Sequence, residues 1–164
     1  FLCVAHGRDH VTRAQLATDA EGKITGLRVK TIANMGAYLS TFASSVPTYL
    51  YATLLSGQYA IPNIYAEVDA VYTNTAPIDA YRGAGKPEAN YLIERLIEAA
   101  AHKLRIDPAE LRRRNFIRSF PYRRPAFGMV IDSGTFPENL ERALAAADRA
   151  GFAARRRAST RRGR

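Results

Sequence analysis

Apolar and polar residues alternate over positions 11–18 and 24–33, which predicts two β-strands, because successive side chains on a strand point to opposite faces. Asp19, Ala20, Glu21, Gly22 and Lys23 lie between them, and a glycine free to take positive φ suits a short hairpin loop. In the second strand Ile24, Gly26, Arg28, Lys30 and Ile32 fall on one face, and Leu27, Val29, Thr31 and Ala33 on the other. Gly36, Ala37 and Tyr38 break the pattern. The mixture of hydroxyl and aromatic residues over 40–51 predicts no single conformation, and Ile61-Pro62-Asn63 reads as an extended turn. Alternation returns over 65–73, giving a third strand with Ala66, Val68, Ala70 and Tyr72 opposite Glu67, Asp69, Val71 and Thr73.

Beyond this point the period changes from two to 3.6. Ala89, Leu92, Ile93, Leu96, Ile97, Ala100, Ala101 and Leu104 form one helical stripe, so residues 87–104 are expected to be a helix buried along that stripe. Pro87 suits the first turn, where its missing N–H costs nothing, and Glu88 complements the positive end of the helix dipole. A second helix is announced by Asp107-Pro108-Ala109-Glu110, a cap, a first-turn proline and a glutamate placed for a capping box, and it ends near Asn115. Residues 116–135 hold two prolines and two glycines and read as an irregular connection. A last helix over 137–150 is expected to bury Leu140, Ala143, Leu144 and Ala147. Strands first and helices after predict an α+β fold, a small mixed or antiparallel sheet packed on helices.

Composition alters this picture in one respect. The 164 residues carry a net charge of +9, which raises the question of phosphate-bearing partners. Six arginines (Arg155, Arg156, Arg157, Arg161, Arg162 and Arg164) lie in the last ten residues, so subtracting six from nine leaves +3 for the rest. Residues 1–150 thus read as a partial domain and 151–164 as an Arg-rich linker. A second basic cluster, Arg112, Arg113, Arg114, Arg118, Arg123 and Arg124, is interleaved with Phe116, Phe120 and Tyr122. That pattern can bind single-stranded nucleic acid by charge and stacking. Cys3 is the one cysteine and cannot form an internal disulfide, in keeping with a cytoplasmic protein. No apolar run approaches the roughly 18 residues of a membrane helix. The opening on Phe1 and the stop at Gly163-Arg164 read as an internal fragment.

The stretch between the third strand and the long helix carries the candidate chemistry. In Tyr81-Arg82-Gly83-Ala84-Gly85, two glycines flank a small residue just ahead of a helix N-terminus, where backbone N–H groups can meet an anion or oxo group at close range. An ordinary strand-to-helix connection can be built the same way. No Walker loop, paired metal-ligand cysteines, His-Glu-x-x-His helix or nucleophile elbow is present. His6, His10 and His102 are the only histidines; His102 falls on the polar face of the long helix, and His10 is expected to make a structural hydrogen bond.

Ala80-Tyr81-Arg82-Gly83-Ala84-Gly85-Lys86-Pro87-Glu88, then Tyr91 to Leu96 and Asp107 to Ile117, resemble the large subunit of the molybdenum hydroxylases, the family of xanthine dehydrogenase, aldehyde oxidase and carbon monoxide dehydrogenase. Gly7-Arg8-Asp9-His10, the run from Lys30 to Tyr38 and Tyr59-Ala60-Ile61-Pro62-Asn63-Ile64 carry the same resemblance, which therefore covers nearly the whole chain. It implies that Tyr81, Arg82, Gly83, Ala84 and Gly85 contact a molybdenum–molybdopterin cytosine dinucleotide cofactor. It further implies an iron–sulfur small subunit with 2Fe-2S clusters, an FAD-binding medium subunit, and a dimer of heterotrimers. The reaction implied is hydroxylation of a carbon centre of a small molecule with oxygen from water. The family's catalytic glutamate belongs to a later segment, so no catalytic residue and no metal ligand is assigned.

Two departures narrow the subclass. True carbon monoxide dehydrogenases are similar to this loop but carry a copper-binding cysteine at the position of Gly83, and glycine offers no thiolate for soft copper(I). Purine oxidisers carry a phenylalanine at the position of Ala84, and alanine cannot stack on a substrate ring. An aldehyde or an N-heterocycle is the substrate class that remains. A small basic nucleic-acid-binding module and a non-catalytic remnant are the alternatives from other classes.

Overall fold

The computed structural model describes residues 5, 7–123, 127 and 129–163. The hairpin is present: β1 (His10–Thr18) and β2 (Ile24–Asn34) pair antiparallel, with His10 opposite Ala33 and Leu16 opposite Leu27. The register slips at the turn end, where Ala17 faces Gly26 and Thr18 faces Ile24, leaving Thr25 as an unpaired bulge residue. That bulge corrects the face expected for Ile24. Unbroken alternation groups it with Gly26 and Arg28, but the extra residue reverses the parity, and Ile24 is buried in one core with Leu27 and Val29.

β3 (Ile64–Val71) runs parallel to β2, with Leu27 opposite Ile64 and Asn34 opposite Val71, so the sheet is mixed and ordered β1-β2-β3. The strand ends two residues earlier than the alternation suggests. Thr73 still donates its N–H to the Gly36 carbonyl at 3.0 Å, but its hydroxyl turns to Asn34 Oδ1 at 2.6 Å and draws the chain out of the ladder. Between β2 and β3 the segment without a clear sequence signal winds into a π-helical turn, Val46–Leu50, closed by the Leu50 N–H on the Ser45 carbonyl at 2.9 Å. It continues as α1 (Tyr51–Leu54).

α2 (Lys86–Leu104) lies against the sheet. Ala89, Ile93, Ile97 and Ala101 are fully buried, four residues apart along the line of contact, and Leu92, Leu96, Ala100 and Leu104 flank them. Each fully buried isoleucine stabilises the fold by about 1.5–3 kcal/mol relative to exposure. α3 (Pro108–Asn115) is capped by Asp107, whose Oδ1 accepts from the N–H groups of Ala109 at 2.9 Å and Glu110 at 3.1 Å. The reciprocal arm of the capping box is not made. Glu110 is drawn to Arg114 at 3.0 Å and Arg113 at 3.5 Å, since a full positive charge outcompetes a neutral N–H.

The irregular connection contains only two-residue strands, β4 (Tyr122–Arg123) and β5 (Val130–Ile131), and a cis Phe120–Pro121 bond. α4 (Phe136–Ala146) ends four residues short of Ala150. It is less buried than its pattern suggests: Leu140 and Leu144 are half-buried while Ala143 and Ala147 face solvent, because the helix meets the rest only along its Phe136-Leu140-Leu144 edge. α5 (Phe152–Arg161), within the Arg-rich stretch, is a helix with no buried residue.

Candidate functional site

The loop 72–85 leaves the C-terminal end of β3 and enters α2, so it lies where the two parallel strands end, the customary place for a ligand in such sheets. Asn34, the last residue of β2, fastens it. Its Nδ2 donates to Asp9 Oδ2 at 2.9 Å and Thr75 Oγ1 at 3.0 Å, while its Oδ1 accepts from Gly36 N at 2.7 Å and from Thr73 Oγ1. All four hydrogen-bonding positions of one amide thereby pin the start of the loop to the end of the central strand. The pattern of the chain gave no hint of this role, although an asparagine two residues ahead of Gly36 is a recognisable turn signal.

Within the turn, the two glycines differ. Gly83 has φ +80° and a Cβ built on it would meet no atom within 4 Å, so its outer side is open. Gly85 has the same φ, but a Cβ there would lie 2.6 Å from Tyr51 N and 2.7 Å from Leu50 C. The need for glycine at 85 therefore comes from the protein's own backbone. Tyr81 is 74% exposed, and Arg82 is exposed with no hydrogen-bond or ion-pair partner among the described residues. The N–H groups of Gly83 and Ala84 make no well-formed bond to a backbone carbonyl, whereas Lys86 N donates to Gly83 O at 2.8 Å. A free guanidinium, free N–H groups and a side-chain-free approach together form an anion-accepting surface at the positive end of α2.

Behind the turn, on its protein side, Gly7, Arg8, His10, Val46, Ile78, Asp79, Tyr81, Ala84 and Glu88 enclose a space of about 10 Å³ for a water-sized centre. Arg8 Nε lies 2.8 Å from Glu88 Oε1, and the glutamate side chain is only 8% exposed. His10 corrects its expectation: its ring stands edge-on to Tyr51 at 5.1 Å, and its buried Nδ1 has no hydrogen-bond partner among the described residues. Burial lowers the His10 pKa from its ordinary value, with Arg8 acting the same way and Glu88 and Asp9 opposing it. A histidine depressed in the native state binds more protons when unfolded. Its stabilisation is thus complete above the unfolded pKa of about 6.5 and is lost as pH falls through that value toward the native one. Thermal denaturation should therefore show a melting temperature that drops between about pH 7 and pH 5, and His10→Gln should remove part of the drop. An unchanged profile in His10→Gln would refute the assignment. Arg8 and Glu88 were legible only as motif letters and as a helix-dipole residue; their pairing spans the whole sheet.

The other candidates lie elsewhere. His6 and Arg124 fall outside the described residues. His102 is exposed on α2, 3.8 Å from Glu98. The arginines of α3 are taken up internally: Arg112 pairs with Glu94 at 2.9 Å and Glu98 at 3.3 Å, Arg113 with Glu141 at 2.6 Å, and Arg114 with Glu110, while Arg118 donates to the Arg113 carbonyl at 2.7 Å. Phe116 is buried, stacked on Tyr59 at 5.5 Å, so this cluster does not present alternating charge and ring to a strand of nucleic acid. Among the described residues no group of three His, Cys, Asp or Glu is placed to hold a metal ion, and no helix is long and apolar enough to cross a membrane. A hollow of about 580 Å³ is an open groove between Gln15, Gly26, Arg28 and Asn63, remote from the turn.

Residues 1–116 match the molybdopterin cofactor-binding domain. The chain belongs to that family. It is 44% identical over 163 residues to the carbon monoxide dehydrogenase large chain of Hydrogenophaga pseudoflava, covering 93% of this chain and 20% of that one. It is 32% identical over 143 residues to the nicotine 6-hydroxylase large subunit of Paenarthrobacter nicotinovorans, covering 86% of this chain and 17% of that one. Among solved structures, the quinoline 2-oxidoreductase of Pseudomonas putida 86 superposes with a TM-score of 0.90 at 29% identity, over 99% of this chain and 21% of that one. The chain thus spans about a fifth of the length of the curated relatives it matches. Its α+β architecture is theirs, and the family resemblance carried by the 80–88 and 107–117 runs is borne out.

Proposed function

We propose that this chain is part of the catalytic subunit of a molybdenum hydroxylase and contributes the turn 81–85 to the cofactor. The observation that carries the reading is the exposed Arg82 guanidinium, unpartnered among the described residues, beside the open backbone of Gly83. Those features fit an anionic pterin: Arg82 supplies fixed charge in a fork geometry, Gly83 allows close approach, and the free N–H groups point no side chain in the way. When bound, the molybdenum centre would supply the redox couple for placing oxygen from water on a carbon centre. The residues of this chain hold and orient. Arg82 and the turn amides would grip the cofactor, Tyr81 would wall the site, and α2 with Asn34 would keep the turn in place.

The substrate class this reading favours is an aldehyde or an N-heterocycle. Gly83 has no sulfur with which to bridge copper, which argues against carbon monoxide although a relative bears that name. Nicotine and quinoline, in the names of two relatives, are both N-heterocycles. Ala84 leaves room where an aromatic side chain would stack on a purine. The cofactor would be the cytosine dinucleotide form. The partners would be an iron–sulfur subunit and an FAD-binding subunit in a dimer of heterotrimers in the cytoplasm.

Purification of the full-length subunit with its partners tests this. Arg82→Ala should lower the molybdenum and pterin content per subunit by about tenfold, and Arg82→Lys, which keeps the charge but not the fork, should fall between. Full cofactor content in Arg82→Ala would sink the assignment of the turn. Oxidation of carbon monoxide, or copper bound in proportion to molybdenum, would sink the substrate class.

A further inference from the structure

His10 and Glu88 line the space behind the turn, and each buries a polar atom, Nδ1 and Oε2, that has no hydrogen-bond partner among the described residues. They come from elements far apart in sequence, the start of β1 and the first turn of α2. Leaving either atom dry is costly, so a fold that buries both beside one cavity has a reason to fill it. The volume admits one small molecule: about 10 Å³ open to a water-sized centre is the size of a single water site. The chemistry of the pair selects the occupant. A carboxylate oxygen needs a donor, and a neutral imidazole nitrogen needs a donor or an acceptor according to its tautomer. Water satisfies both, while an anion is rejected by the glutamate and the volume is too small for an organic group.

We infer that the cavity between His10, Ala84 and Glu88 is a built site for one ordered water, which bridges His10 Nδ1 to Glu88 Oε2 and makes the two side chains positioning residues for the turn 81–85. The Arg8 ion pair takes Glu88 Oε1, so the water completes the carboxylate and ties α2 to the start of β1. Burial keeps His10 neutral near neutral pH, which preserves a bridge of hydrogen bonds in place of a second ion pair. Ala84 and Tyr81 line the same space, so the water lies directly beneath the turn. The positioning role rests on the cofactor reading of that turn; the water site does not.

A high-resolution structure of the full-length holoenzyme is the first test. One solvent peak within hydrogen-bond distance of His10 Nδ1 and Glu88 Oε2 is expected; an empty cavity, or one filled by a side chain from another part of the subunit, would overturn the site. Hydrogen exchange of the 82–86 amides in the same holoenzyme tests the positioning role. His10→Asn keeps a polar atom facing the space and leaves the Arg8–Glu88 ion pair intact, so it should stay within about twofold of the parent, whereas His10→Phe should raise exchange by about tenfold. Unchanged exchange in His10→Phe overturns the positioning role. The cofactor reading fails separately, through Arg82→Ala, and that failure would leave the solvent peak in place.

Discussion

Gly85→Ala is expected to destabilise the chain by about 2–5 kcal/mol, while Gly83→Ala, two residues away, should cost only about 1–2 kcal/mol. Both residues hold φ +80°, so the backbone penalty is shared. The difference lies in what surrounds the added methyl. At Gly83 it would project into open space, whereas at Gly85 it would stand 2.6 Å from Tyr51 N and 2.7 Å from Leu50 C. Those neighbours are backbone atoms of the helical turn that carries buried Tyr51, and they can move only if α1 moves with them. Chemical denaturation of the two variants would check the ordering, and equal losses would show that the contact between Gly85 and α1 is not tight. The same comparison separates fold from function. A stable Gly83 variant with reduced cofactor content would point to the ligand side of the turn, because the protein side makes no demand there.

Asn115→Ala should be as costly, about 3–5 kcal/mol. Asn115 is completely buried at the end of α3, and its amide is fully engaged. Oδ1 accepts from Ile24 N at 2.8 Å, and Nδ2 donates to the carbonyls of Gly22 and Leu111, both at 2.9 Å. Alanine would leave a buried N–H and the Gly22 carbonyl unpaired, and would open a void beneath the hairpin turn. Asn115→Asp would keep the bond to Ile24 N but set a carboxylate against two carbonyl oxygens, so it should be no milder. The midpoint of urea denaturation should fall in both variants while the slope stays constant. A loss below about 1 kcal/mol would mean that the hairpin turn is not anchored through this amide.

Asn115 also illustrates how the candidate site is built. The hairpin is held to α3 by Asn115, β2 to the loop by Asn34, and α2 to the chain ahead of β1 by the Arg8–Glu88 ion pair. Each is a polar fastening in or beside an apolar core, and each fixes the geometry of one end of the sheet. The turn 81–85 takes its position from the last two, which hold the loop ahead of it and the first turn of α2 after it.

What the sequence determined by itself are the features set by near neighbours. Period-two alternation located the strands, the stripe from Ala89 to Leu104 located α2, and Asp107-Pro108 located the cap of α3, because strand pleat, helical pitch and cap geometry each involve residues within a few positions of one another. The run from Ala80 to Glu88 likewise marked the family before any coordinate was known. Tertiary structure alone decided the parity of Ile24, which depends on the pairing of Thr18 across the bulge. It alone separated the crowded Gly85 from the open Gly83, brought Glu88 to His10, and set Asn115 against Ile24, 91 residues away. Such contacts join segments whose separation along the chain leaves no periodic trace, so only the packed core could specify them.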